Sequence, residues 1–278
     1  MTVIAVGDVQ LGRGVGRAIA REGPDYPFEH VAAVIQSADL AVFNLECALS
    51  KDGVPLPKVY SFKADPAAAE GLARAGFDIA VLANNHSVDC GRWRLSETMD
   101  ILRGRGIVPV GAGMSMAEAA APVIVERSGL RIAFLARTFI LPDGVLYRED
   151  VPTIAVYDPD RIEAEVRAAN RRADVVIVSL HWGVEYARQP QESQRRIARR
   201  LVDAGADLVI GHHTHTPQPV ERYGRGLIAY SLGNFVFDSR GEGGRYGTLL
   251  RCTVTADGVD SHEALPIHIE RAQPLPDF

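Results

Sequence analysis

The stretch ADLVIGHHTH, residues 206–215, opens on a small residue and an aspartate, runs through branched apolar residues, and stops in a cluster of histidines. The same order recurs in SADLAVFNLE (37–46), GFDIAVLANNH (76–86) and RADVVIVSLHWG (172–183), and TVIAVGD (2–8) begins the chain in that style. Unbroken apolar runs of this length read as strands buried on both faces. RIAFLARTFIL (131–141) is a further strand candidate. Between the runs, residues 65–76, 92–106, 158–173 and 190–206 place Ala, Leu and Arg at helical spacing. Asp65, Pro66 and Gly76 supply a cap, a first turn and a stop for the first of these helices. Strand and helix in alternation imply βαβ units and a parallel or mixed sheet. The final stretch differs: LIAYSLGNFVFD (227–238) and TLLRCTVTADGVDSHEALPIHIE (248–270), with a turn at Asp257–Gly258, suggest antiparallel strands. The strand endings recur at no fixed spacing, so they mark no repeat architecture. No low-complexity linker divides the chain, which reads as a single domain over 1–278.

Composition excludes several classes. With 47% hydrophobic and 23% charged residues, the chain is that of an ordinary globular protein. A net charge of −5 gives no footprint for nucleic acid. The opening MTVIAVGDVQ is too short to span a bilayer and lacks a cationic flank, so no membrane anchor is expected. Cys47, Cys90 and Cys252 show no C-x-x-C spacing, and so sparse a set suits a reducing, cytoplasmic location.

In open α/β sheets, ligands bind beyond the carboxyl ends of the strands. Those ends supply Asp8; Asn44 and Glu46; Asn84, Asn85 and His86; His181; and His212, His213 and His215. Singly, several have plainer explanations: Asp8 as a turn residue, Asn85 as a left-handed turn, His181 as a core histidine. Jointly, they converge on one sheet edge. Carboxylate, amide oxygen and imidazole without thiolate suit Mn, Fe or Zn, one ion or two. A two-metal site would activate water and stabilise an in-line displacement. The basic run RRIARR (195–200) reads as a solvated helix face, and Cys47 as a small buried residue.

The motifs AVGDVQLGRGV, NLECALS, KVYSFKADP, LANNHSVDCG, HWGVEY, DAGADLVIGHHTH and YSLGNFVFD follow one another from residue 3 to about residue 240. In these the chain resembles the CapA family, named for poly-γ-glutamate capsule synthesis and related to calcineurin-like metallophosphoesterases. The resemblance implies an α/β fold, a metallophosphoesterase-like sandwich of two mixed β-sheets flanked by helices, with the site at the strand ends. It implies metal ligation by Asp8, Glu46, Asn85, His181, His213 and His215, and a general-acid role for His86. Alternation along an extended strand would then point His213 and His215 together and His212 oppositely, packing or hydrogen-bonding behind the site. Three positions depart from the metallophosphoesterase pattern. Gln10 stands where the relatives carry a histidine, Ser87 where they carry an acid (with Asp89 two residues on), and Glu46 where they carry a bridging aspartate. An amide oxygen is a poorer ligand than imidazole, so Gln10 weakens one metal position.

Three functions compete on this pattern. The first is a metal-dependent hydrolase of phosphoester or amide bonds, with Asp8, His86 and His213 at the reacting centre. Arg13, Lys58 and Lys63 would hold an anionic substrate: a small molecule, a peptide or a poly-γ-glutamate-like chain. The second is an epimerase-like peptide-tailoring enzyme that moves protons in the same pocket without metal. The third is a non-enzymatic accessory in poly-γ-glutamate synthesis.

Overall fold

The computed structural model describes residues 1–143, 150–238 and 241–277. Two large sheets pack face to face. In the eight-stranded sheet, Thr2–Val9, Leu40–Leu45, Ile79–Val81 and Val108–Val110 run parallel. Tyr246–Thr255, Gly258–Glu270 and Gln273–Pro276 extend antiparallel from the other side of Thr2–Val9. The six-stranded sheet has Leu130–Thr138, Val175–His181, Leu208–His212 and Gly226–Ala229 parallel at its centre, with Val123–Arg127 and Val220–Tyr223 antiparallel at its edges.

Each central strand is apolar on both faces because each face has its own partner layer. Val3, Ala5, Val42, Val81, Ile177 and Ile210 form the core between the sheets. Ile4, Val6, Phe43 and Ala80 pack against Val15, Ile35, Leu72 and Leu95 of the helices on one outer face. Val176, Val178 and Val209 pack against Ile162, Val166 and Leu201 of the helices on the other. Local turn chemistry marks some of the helix ends, although the N-cap position of Ala68–Ala75 is Ala67 and carries no side-chain cap. Asp65 Oδ1 accepts from the Ala67 amide at 2.8 Å just before helix Ala68–Ala75, and Gly76 closes that helix at φ 92. Gln191 and Gln194 form a reciprocal capping box at the start of Glu192–Asp203.

The segment 227–238 departs from the expected antiparallel pattern. Its first part belongs to Gly226–Ala229, parallel to Leu208–His212 in the six-stranded sheet. Its second part, Asn234–Val236, crosses to the other sheet and pairs parallel with the end of Thr2–Val9. A segment that changes sheets continues the parallel order of each instead of folding back. The 246–270 hairpin is antiparallel, as read from the sequence.

One irregularity sets the site. The register of Thr2–Val9 against Leu40–Leu45 goes from Ala5↔Val42 to Asp8↔Asn44, so one strand advances by three residues and the other by two. This bulge changes which face each later residue occupies. Val6 and Val9 therefore both pack on the helix side, and Asp8 turns inward beside Asn44. Gly7 occupies the bulge because the backbone there touches its neighbour: a Cβ on Gly7 would lie 2.0 Å from the Gly233 carbonyl oxygen. Gly7→Ala should therefore destabilise the fold by about 2 kcal/mol or more. Denaturant unfolding measures this, and a midpoint equal to that of the wild type would contradict it.

Candidate functional site

Alternation from the inter-sheet core carries the functional side chains to one place. Val42 precedes Asn44 and Glu46 on that face, Ile177 precedes Ser179 and His181, and Ile210 precedes His212. All eight of these positions are buried, as are Asp8, Gln10, Asn84, His86, His213 and His215.

Asp8 is the hub. Its Oδ1 accepts from Asn44 Nδ2 at 2.8 Å, and its Oδ2 faces the His213 amide at 3.3 Å. His212 Nδ1 lies 3.3 Å from Oδ1 and His215 Nδ1 3.4 Å from Oδ2. Burial works to raise this carboxyl, but the neighbouring His212 and His215 hold it well below the usual carboxylate range. Asn44 is fixed in turn by Asn84, which donates to Asn44 Oδ1 at 3.0 Å and to the Leu45 carbonyl at 2.8 Å. The chain of amides therefore orients the carboxylate.

Glu46 has the opposite environment. Both of its carboxylate oxygens are buried without a hydrogen-bond partner. Burial, reinforced by the negative Asp8, pushes its carboxyl well above the usual range. His215 answers this charge. Burial opposes its protonation, yet Glu46, Asp8 and the Asn234 side-chain oxygen at 2.9 Å raise the imidazole to about 10. His181 and His213 go the other way, pushed down by burial and by neighbouring histidines, His213 to about 4. They are neutral imidazoles at neutral pH, the form that ligates metals.

Two groups could hold a cation: Asp8, Glu46 and His215, and Glu46, His181 and His213. Within each, the candidate ligand atoms all lie within 4.8 Å of one another, and Glu46 belongs to both. The orphaned Glu46 oxygens and the unpartnered His213 Nδ1 fit such a group, because buried polar atoms are otherwise satisfied. Asn85 joins the second group, its Oδ1 2.8 Å from His181 Nε2. Gln10 follows Asp8 by two residues beyond the bulge, and both of its amide atoms are buried and unpartnered.

His86 lies at the mouth. Its Nδ1 is 2.8 Å from Asp89 Oδ2, and its ring stacks on Phe62 with centroids 4.0 Å apart. Burial holds its pKa below the ordinary value against the pull of Asp89. A cavity of about 580 Å³ opens here, lined by Arg13, Tyr60, Phe62, His86, Tyr186 and His215 among others. Arg13 begins the helix Arg13–Glu22, with its guanidinium 5.2 Å from the Phe62 ring centroid and Nε 3.4 Å from Asp238.

Several expectations change at this level of detail. His212 does not point away from the others: it ends its strand on the inter-sheet face, paired with His181, and its ring meets Asp8. The strand stops there, and His213 and His215 take left-handed backbone angles, φ 86 and 55. A turn, not strand alternation, brings their rings to within 6.1 Å of each other. Lys58 and Lys63 are engaged by groups of the protein itself, Lys58 by Asp89 and the Asn85 carbonyl beside the site. Lys58 Nζ pairs with Asp89 Oδ1 at 2.6 Å, Lys63 Nζ bonds the Lys51 carbonyl at 2.8 Å, and neither lines the cavity. Asp89, Tyr186 and Asn234 were not singled out by sequence reasoning as site residues. The His86–Asp89 spacing was the available signal for the first, while Asn234 reaches the site only through the sheet crossing.

The chain has a metallophosphoesterase-like fold, a sandwich of two mixed sheets shared with solved nucleotidases. A solved NAD nucleotidase from Haemophilus influenzae superposes on it with a TM-score of 0.56 at 12% identity, covering 97% of this chain and 56% of that one. The family model described as bacterial capsule synthesis protein PGA_cap matches residues 2–239, and the chain belongs to that family. The PGA biosynthesis protein CapA of Bacillus subtilis is 31% identical over 98% of this chain and 72% of its own length. The capsule biosynthesis protein CapA of Bacillus anthracis is also 31% identical, over 99% and 69%. No helix among the described residues is long and apolar enough to cross a membrane.

The charge pattern makes a direct prediction. His215, raised to about 10, carries a proton at neutral pH, and a cation bound beside it must displace that proton. Calorimetric titration with Mn(II) near neutral pH, in buffers of different ionisation enthalpy, should therefore show net proton release. Heats that do not depend on the buffer would contradict it.

Proposed function

We propose that the site is a divalent-metal hydrolase centre acting on a phosphoester or an amide bond of an anionic substrate. The observation that carries this reading is Glu46: a buried carboxylate with both oxygens unpartnered, common to two ligand groups, one of which meets an open cavity through His215. Asp8, Glu46, Asn85, His181, His213 and His215 are the holding residues, with Gln10 a weak neutral donor beside Asp8. A divalent ion there would supply Lewis-acid charge to a phosphoryl or carbonyl oxygen and acidify water.

The protein's own groups supply the rest. Asn44 and Asn84 fix the Asp8 carboxylate through the amide chain. Asp89 holds the His86 ring by Nδ1, which leaves Nε2 for the cavity. His86 is neutral in the free protein, and an approaching anion favours its protonated form. It then donates that proton to the departing oxygen or nitrogen. Arg13 offers charge to the substrate, Phe62 shields the His86 face, and burial of the ligand set excludes bulk water. The names of the relatives favour an anionic peptide of the poly-γ-glutamate type as substrate.

A second reading, proton transfer at carbon without metal, has one observation in its favour: a protonated His215 already sits between Asp8 and Glu46. Deuterium incorporation from solvent in chelator-treated protein would select it. The hydrolase reading predicts instead that Glu46→Gln lowers metal content. It also predicts that His86→Ala retains metal yet loses about a hundredfold in kcat on a susceptible ester or peptide. Elemental analysis with steady-state kinetics checks both, and full turnover in His86→Ala would contradict the assigned role.

A further inference from the structure

Phe237 and Asp238 line the site cavity on one side and a second cavity, of about 540 Å³, on the other. That volume is within the range of small-ligand pockets. Its walls carry Arg17 and Arg21 from the first helix, Arg245 from the turn before strand Tyr246–Thr255, and Arg271 from the turn joining the last two strands. Four arginines face two carboxylates, Asp238 and Glu270, in a chain whose net charge is −5. Asp238 is already engaged by Arg13 and by the Gly14 amide. Arg21 pairs with Glu22. Arg17, Arg245 and Arg271 have no ion pair among the described residues.

Backbone geometry marks the same cavity. Arg271 and Ala272 form a two-residue turn between the paired Glu270 and Gln273, both at positive φ, 51 and 67. Such turns favour Asn-Gly, and here a full-length arginine is retained. Seven non-glycine residues have positive φ among the described residues. Arg13, Tyr186, His213 and His215 belong to the site, Arg271 and Ala272 line the second cavity, and only Ser128 lies elsewhere. Strained backbone collects where function holds it.

We propose that this second cavity is an anion subsite. Arg17, Arg245 and Arg271 bind a carboxylate or phosphate group of an elongated substrate that crosses the Phe237–Asp238 wall and places its reacting bond beside His86. The identity of the reacting end rests on the hydrolase reading; the binding of the anion does not.

The test is fluorescence anisotropy of a fluorescein-labelled glutamate oligomer with the full chain in chelator, with unlabelled oligomer and inorganic tripolyphosphate as competitors. The triple variant Arg17→Ala/Arg245→Ala/Arg271→Ala, whose altered side chains are exposed, should bind about tenfold more weakly or worse, with a shallower salt dependence. Arg196→Ala, which removes an exposed arginine of helix Glu192–Asp203 outside both cavities, should bind as the wild type does. If tripolyphosphate displaces the probe better than free oligomer, the anion is phosphate; the reverse assigns carboxylate; either result keeps the subsite. Unchanged affinity in the triple variant, or no binding of either anion to the wild type, overturns it. Weakened binding without metal-dependent turnover would keep the subsite and remove the hydrolase reading. Metal-dependent turnover with an unaffected triple variant would do the opposite.

Discussion

Two carboxylates, Asp8 and Glu46, are buried at the ends of neighbouring strands with ligand atoms no more than 4.8 Å apart, and their mutual repulsion is the constraint around which the site is built. A pair of negative charges out of water needs a positive partner or a proton. The surroundings supply the partner unequally. Asp8 accepts from amide donors and meets two histidines at 3.3 and 3.4 Å, while Glu46 accepts no hydrogen bond and only faces His181 at 3.6 Å and His215 at 3.9 Å, so the proton demand falls on Glu46 and His215. A divalent cation answers the same demand more completely. Neutral His181 and His213 stand ready on the other side of Glu46.

The fold serves this arrangement. Two sheets face to face give every central strand an inward face, and the strand ends deliver Asn44, Glu46, His181 and His212 from that face to one edge. The bulge at Gly7 is indispensable to the geometry. Without the extra residue, Asp8 would continue the helix-side row of Ile4 and Val6. The segment that crosses between sheets closes the arrangement: its Gly233 carbonyl receives the Asp8 amide, and its Asn234 side chain orients His215. Stability and function therefore meet in the same few peptide units.

The class of fold and the gathering of the candidate residues at one sheet edge were legible in the sequence because continuous apolar runs ending in polar residues report buried strands and where they stop. What escaped was backbone detail. Alternation assigned His212 to the wrong side, since the rule holds only while the chain stays extended, and the chain leaves that state at His213. The bulge depends on contact between Gly7 and Gly233, far apart in sequence, and no local pattern encodes it. The crossing of 227–238 was hidden because a short strand looks alike in either sheet. Asp89 was visible as the acid displaced from the usual position, but only the turn shows that it meets His86 and holds Lys58 away from the cavity.

The most direct measurement is anomalous scattering at the manganese edge from crystals of the protein equilibrated with Mn(II). The expected result is a peak in contact with Glu46, among Asp8 and His215 or among His181 and His213, with both positions filled at saturation. The absence of any peak within coordination distance of Glu46 at saturating Mn(II) would contradict a metal centre built on that carboxylate.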